Sequence, residues 1–158
     1  MRSLHILREL DAQPSGDRSR SWDFSDSILD LWAEHGLLYS PNLMDDIRPN
    51  RHANGVVELP VQWVLDDASH FWFEGRTCWN KKIPMSSRVR ELWQSEFLAL
   101  SRLGALFLFT VHPQFIGRPS RLAMLDDFLA LVTSHEGVWL TSAAHFASAT
   151  DLELPKGF

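Results

Sequence analysis

The sequence lacks most of the patterns that indicate a function in a short chain. Its 158 residues include one cysteine, Cys78, which excludes an internal disulfide and a zinc site built from cysteines. The seven histidines never lie within one helical turn of each other, so no local His-x-x-x-His or His-x-x-His chelate exists. No Gly-rich phosphate loop and no G-x-S-x-G nucleophile motif occurs.

Positive charge and long apolar runs are also scarce. Fifteen basic against 20 acidic side chains give a net charge of −5, which argues against nucleic acid or an anionic membrane as a partner. The longest apolar stretch, residues 103–111, has about nine residues, whereas a membrane span needs about 20. Charges near Met1 interrupt the segment where a signal peptide has its apolar part, so we expect a cytoplasmic location.

What is present fits one globular domain over residues 1–158, with 45% hydrophobic and 22% charged residues. Apolar residues at three- and four-residue spacing, with capping residues at their ends, predict four helices. These are residues 1–10, 25–35, 87–103 and a helix that starts at 118–119 and ends before Gly137. Nearly continuous apolar runs predict buried strands at 56–63 and 105–112, with weaker ones near Arg18, 38–39 and 138–140.

Strands and helices therefore alternate along the chain. This order predicts an α/β fold with parallel strands, about five strands and five helices in number. Either a short doubly wound sheet or part of a larger β/α barrel would satisfy it.

In parallel α/β folds, reactive side chains lie where strands end. His112 ends the predicted strand 105–111, Asp66 and Asp67 end the strand that starts at 56, and Arg18 lies in a polar segment. Each has a plainer interpretation: a hydrogen-bonded structural histidine, a turn, and a solvated charge.

The tryptophans fall into two groups. Trp32 and Trp93 lie on apolar helix faces and are predicted to be core residues. Four others lie near polar segments and are either packing residues or platforms for sugar rings, namely Trp22, Trp63, Trp72 and Trp79.

Four segments, taken in order, resemble the second half of a polysaccharide deacetylase of the NodB-homology family. Residues 16–25 read GDRSRSWDFS, similar to G-[YF]-R-S-P-x-W-D-F-S, and residues 59–67 read LPVQWVLDD, similar to L-P-V-x-W-x-L-D-D-W. Residues 112–119 read HPQFIGRP, similar to H-P-x-x-I-G-R-P, and residues 137–139 match the terminal G-V-W. The resemblance points to the branch with peptidoglycan-deacetylase-like and allantoinase-like members. It departs at Asp17, Arg20 and 68–69, where the pattern has an aromatic residue, Pro and Trp-Pro.

The resemblance implies a partial (β/α) barrel whose first strands are missing. It implies metal-dependent hydrolysis of a non-peptide C–N bond, usually the N-acetyl amide of an amino sugar. The implied cofactor is a divalent metal, and zinc is the ion we expect. The metal ligands and the catalytic base belong to motifs expected before residue 1, so we predict no metal ligand in this chain and no activity of the chain alone.

Position in the family motifs also implies roles for individual residues. His112 matches the acid that protonates the leaving amine, and Arg18 matches the residue that orients the base. Asp66 and Asp67 match the acidic pair that supports the site. Trp22 and Trp63 match the walls of the substrate groove.

Three functions stay open at this point. The chain is a truncated deacetylase, a non-catalytic carbohydrate- or partner-binding remnant, or half of an amidohydrolase that acts on a small cyclic amide. Half a barrel leaves strand edges without partners and apolar surface facing water. We therefore expect a homo-oligomer or a complementing N-terminal half, in addition to a carbohydrate or small amide substrate.

Overall fold

The computed structural model describes residues 2–72, 82–149 and 154. Its elements in chain order are α1 (Arg2–Glu9), α2 (Asp26–Glu34), β1 (Tyr39–Ser40), β2 (Asn50–Arg51), β3 (Val57–Glu58), α3 (Asp67–Phe71), α4 (Ser86–Arg102), α5 (Pro113–Ile116), α6 (Pro119–Ser134) and α7 (Ala143–Ala149). Short 3-10 turns occur at Arg20–Trp22 and Trp63–Leu65. Among the helices of these described ranges, none is long and apolar enough to cross a membrane.

The chain divides into two compact units. The first unit consists of Met1–Pro60 and Thr141–Phe158, and the second consists of Val61–Leu140. The expected single domain over residues 1–158 stays a prediction, and each unit is described by itself below.

The four predicted helices are confirmed, and each starts within one residue of its predicted start. The capping signals explain this agreement. Ser25 caps α2, where its Oγ accepts a hydrogen bond from the Ile28 N–H at 3.4 Å. Pro119 occupies the first turn of α6, where a missing N–H costs nothing. Gly104 ends α4 with φ at +59°, a conformation that costs glycine little.

The strands differ from the prediction. Within the run 56–63, only Val57–Glu58 is a strand, and the run 105–112 has one parallel bridge, between Thr110 and Asp66. Residues 138–140 form no strand, whereas the strand predicted at 38–39 is present one residue later, as β1 at Tyr39–Ser40. The predicted burial of 105–112 is also wrong, since residues 105–110 are half-buried and Val111 is exposed. A strand needs backbone partners along its whole length, and the described neighbours of 105–109 do not supply them.

The sheet of the first unit has three strands in the order β1-β3-β2. β1 pairs with β3 in parallel, as predicted, and Gly16 adds a parallel bridge to Tyr39. β2 was not predicted, and it pairs with β3 in the antiparallel direction. The fold is therefore mixed α/β, and the partial barrel stays a prediction.

The core of the first unit forms where α2 meets the sheet. Its buried cluster consists of Leu29, Trp32, Leu37 and Val56, with Phe24 and Ile28 packed against it. The predicted core position of Trp32 is confirmed, since that side chain is 2% exposed. α7 packs against β1 on the same unit.

The second unit is built around the contact between α4 and α6. Trp93 of α4 is fully buried, as predicted, and its ring meets Phe109 edge-to-face at 4.7 Å. Three- and four-residue spacing predicts that the apolar face of α6 consists of Leu122, Leu125, Phe128, Leu129 and Val132. This prediction is partly wrong. Met124, Phe128 and Val132 are buried, whereas the predicted Leu122 and Leu129 are 48% and 40% exposed. Packing against one neighbouring helix buries a stripe of positions i, i+4 and i+8, so the flanking leucines stay outside.

Candidate active site

Two adjacent carboxylates, Asp66 and Asp67, lie at the start of α3 in the second unit. Asp66 is buried and caps α3, since its Oδ1 accepts a hydrogen bond from the Ala68 N–H at 2.7 Å. Asp67, the first residue of α3, is fully buried. Its N–H donates to the Thr110 carbonyl at 3.1 Å, while the Thr110 N–H donates to the Leu65 carbonyl at 3.0 Å. This parallel bridge fixes both carboxylates relative to the segment that leads to His112.

His112 faces Asp67 directly. Its ring Nδ1 lies 2.6 Å from Asp67 Oδ1, and its backbone N–H donates to Asp67 Oδ2 at 3.0 Å. Asp66 Oδ1 is 3.8 Å from the same ring nitrogen. One carboxylate therefore holds both the backbone and the side chain of His112. These contacts bring together three of the predicted site residues, of which Asp67 and His112 lie 45 positions apart in the chain.

The surroundings of the imidazole determine which nitrogen is available for chemistry. A buried carboxylate accepts hydrogen bonds, so Nδ1 carries a proton in this pair and Nε2 is left as the second ring nitrogen. The His112 side chain is 38% exposed, whereas Asp67 is inaccessible. Phe115 of α5 packs against the ring, with centroids 5.6 Å apart. A fixed, partly exposed imidazole with a buried carboxylate behind it is suited to general acid–base catalysis.

The aromatic residues predicted to contact sugar differ in exposure. Trp63 is 60% exposed in the turn that precedes Asp66, and Trp72 is largely exposed at the end of α3, where it packs on Phe115 at 5.5 Å. Trp22, in the first unit, is half-buried. Trp79 lies outside the described residues.

Arg18 and Trp22 belong to the first unit and share one segment of unusual backbone. Ser21 and Trp22 have φ angles of +58° and +55°, a region that bulky L-residues rarely adopt. Such backbone costs about 1–3 kcal/mol per residue and persists only where the surroundings hold it in place. The positions of Arg18 and Trp22 relative to the His112 pair stay predictions.

The sequence analysis missed the buried polar residues of the first unit. Asn42, His52 and Glu58 are each less than a tenth exposed, and Glu58 is completely buried. One signal was available, since Glu58 is a charged residue inside the apolar run 56–61, and such a residue is buried only when it is paired.

Comparison with known proteins connects this geometry to a family. No protein-family profile matches the chain. A curated relative named peptidoglycan deacetylase, from Helicobacter pylori, is 24% identical over 89% of this chain and 59% of its own length. A solved structure from Mycobacterium smegmatis, assigned as a polysaccharide deacetylase, is 33% identical. It superposes with a TM-score of 0.90 over 99% of this chain and 57% of that chain. The chain therefore resembles polysaccharide deacetylases in sequence and, over nearly its whole length, in fold.

A third similarity concerns the fold alone. The crystal structure of Puue allantoinase matches 95% of this polysaccharide deacetylase homologue and 50% of its own chain, with a TM-score of 0.77 and 24% identity. In each of these comparisons the present chain spans between half and three-fifths of the relative's length.

Polysaccharide deacetylases use a divalent metal, so the Asp66, Asp67 and His112 cluster was tested as a metal site. Their ligand atoms lie within 4.8 Å of one another, and no second group of this kind was found in the described part of the chain. The donor atoms are already engaged, however. Nδ1 of His112 donates to Asp67, and Asp66 Oδ1 accepts from Ala68. Nδ1 must lose its proton before it can ligate a metal, so the arrangement as it stands does not fit the metal, and binding there would break the hydrogen bond to Asp67.

Proposed function

We propose that this chain supplies the proton-donating and substrate-binding part of a metal-dependent deacetylase that hydrolyses the N-acetyl amide of an amino sugar. The observation that carries the proposal is the pair formed by His112 and the inaccessible Asp67, joined at 2.6 Å. The two relatives named as deacetylases support the reaction class. We further propose that the zinc or other divalent ligands and the catalytic base lie outside the described residues of this chain.

In this reaction water adds to the amide carbonyl, the C–N bond breaks, and the products are acetate and a free amine. The leaving nitrogen must take up a proton, because an amine anion is too basic to depart at neutral pH. His112 is proposed to give that proton from Nε2. Asp67 keeps the ring oriented through Nδ1, so that Nε2 faces away from the buried carboxylate.

The remaining predicted residues have supporting roles in this proposal. Asp66 caps the start of α3 and lies 3.8 Å from Nδ1 of the imidazole. Arg18 orients the base, as the family resemblance implies. Trp22 and Trp63 line the groove for the sugar, and the exposure of Trp63 supports a stacking role.

The first measurement is the intact mass of the natural protein from its source. It is compared with the 18.1 kDa calculated for these 158 residues. Acetate release from N-acetylated peptidoglycan fragments is then measured with that protein, before and after chelation. His112→Ala is expected to lower the rate at least ~100-fold, the lower range for loss of a general acid. His5→Ala, at an exposed histidine of α1 in the first unit, is the matched control and should leave the rate unchanged. A rate equal to wild type in His112→Ala would refute the assignment.

A second candidate function is saccharide binding without turnover. The exposure of Trp63 and Trp72 favours it, because both rings are open to a flat ligand. Saccharide binding that survives chelation, in a protein that releases no acetate, would support this function. Hydrolysis of a small cyclic amide by the natural protein tests the third possibility, an amidohydrolase.

The partner and the location also stay proposals. We propose that a complementing N-terminal half or a second copy covers the strand edges, which sedimentation of the natural protein tests. The cytoplasmic location is tested by fractionating source cells.

A further inference from the structure

The first unit contains a buried polar network that binds the backbone of the residues directly before and after Arg18. The amide of Asn42 is its centre: Asn42 Oδ1 accepts a hydrogen bond from the Ser19 N–H at 2.8 Å, and Nδ2 donates to the Asp17 carbonyl at 3.1 Å. These are the residues directly before and after Arg18. One side chain therefore fixes the backbone from which the Arg18 guanidinium extends.

Asn42 is itself held by a buried carboxylate. Glu58 Oε1 accepts hydrogen bonds from the backbone N–H groups of Asn42 and Leu43, each at 2.8 Å. Asn42 Nδ2 also donates to Ser40 Oγ at 3.1 Å. A fully buried carboxylate is tolerated only when its oxygens are satisfied, so this arrangement resists rotation of the Asn42 amide.

The second oxygen of Glu58 links the network to the other end of the same segment. Glu58 Oε2 lies 3.0 Å from His52 Nε2. The His52 ring stacks on Phe24, with centroids 6.0 Å apart and an interplanar angle of 23°. The segment from Asp17 to Phe24, which includes the two left-handed residues, is thus held at both ends by one network.

We propose that Asn42, supported by Glu58, is the positioning residue for Arg18. The inference rests on the proposed function, because it concerns the reaction in which Arg18 orients the base. A flexible arginine would sample many rotamers and would spend little time in the orienting geometry. The network confines its Cα position, and the held backbone strain at Ser21 and Trp22 shows that the surroundings determine the conformation there.

Asn42→Ala tests the proposal in two ways. In the 158-residue chain, the amide NMR signal of Ser19 is expected to lose its protection from hydrogen exchange, and the Nε–H signal of Arg18 to shift. In the natural protein, the kcat of acetate release is expected to fall about 10–100-fold, with KM within about twofold. This is the usual loss when a residue that orients a group in the reaction centre is removed. Asn54→Ala is the control, since this exposed asparagine of the same unit bonds to Asp30 and Val56 instead.

Two further variants separate the outcomes. Asn42→Asp keeps the acceptor for Ser19 but loses the donor to Asp17, so its kcat should lie between wild type and Asn42→Ala. Arg18→Ala should lower kcat at least as much as Asn42→Ala, and the two changes together no more than Arg18→Ala alone. Additive losses, or unchanged Arg18 signals in Asn42→Ala, would overturn the inference. A wild-type natural protein that releases no acetate would instead overturn the proposed function, and the NMR signals would still decide the positioning.

Discussion

The hydrogen bond between Asp67 and His112 predicts a coupling that this chain allows to be measured without a substrate. The perturbations are Asp67→Asn, His112→Ala and the double variant. His112→Ala removes the ring and leaves the backbone N–H that donates to Asp67 Oδ2. The double-mutant cycle therefore isolates the contact between the two side chains, which lies at 2.6 Å.

The size of the coupling follows from the environment of the pair. Hydrogen bonds to charged groups contribute about 1.5–3 kcal/mol, compared with about 1 kcal/mol for neutral ones. Asp67 is inaccessible, which favours the upper end, whereas the His112 side chain is 38% exposed, which screens the interaction. We expect a coupling energy of about 2 kcal/mol. With a typical urea slope, this corresponds to a difference of about 1 M in the unfolding midpoints.

Urea unfolding monitored by tryptophan fluorescence gives the free energy of unfolding of the wild type and the three variants. Equal slopes of free energy against urea concentration verify that the same transition is compared in all four. A coupling energy below about 0.5 kcal/mol would refute the reasoning, because it is the size of a solvated surface pair. Nitrogen NMR of the wild-type imidazole provides a measurement that does not depend on variant folding. The proton is expected on Nδ1, and a ring protonated only on Nε2 would equally contradict the assignment.

Further predictions concern separate parts of the chain. Trp63→Ala should weaken binding of N-acetylated saccharides about tenfold, as one lost stacking contact would, without changing the circular dichroism spectrum; unchanged affinity would exclude a stacking role. Gly16→Ala should destabilise the chain by about 1–3 kcal/mol, because a Cβ there would overlap the Tyr39 ring; an unchanged urea midpoint would show that the ring moves aside. Ser25→Ala should cost about 1 kcal/mol by removing the cap on the Ile28 N–H, which denaturant titration measures against the wild type. Zn²⁺ added to the 158-residue chain should leave its melting temperature within about 1 °C, since the cluster around His112 already uses its donor atoms; a larger rise would show binding to the folded state.

The contacts around His112 show which features of this cluster can be predicted from a sequence. His112, Asp66 and Asp67 are predicted site residues because they end apolar runs, and the structure places them in contact. The hydrogen-bonding partners were not predictable in detail. Whether Asp67 or Asp66 holds the imidazole depends on the start of α3, which positions one carboxylate at 2.6 Å and the other at 3.8 Å.

The helices and the family resemblance follow from the residues along the chain. Helix periodicity and caps such as Ser25 depend on neighbours within four residues, so they can be predicted from the sequence. The tertiary structure alone decided strand extent, the exposed leucines of α6 and the network from Glu58 to Arg18. These features depend on which distant segments supply hydrogen bonds and apolar contacts. Asn42, for example, holds residues that lie 23 and 25 positions away, and no local pattern records that separation.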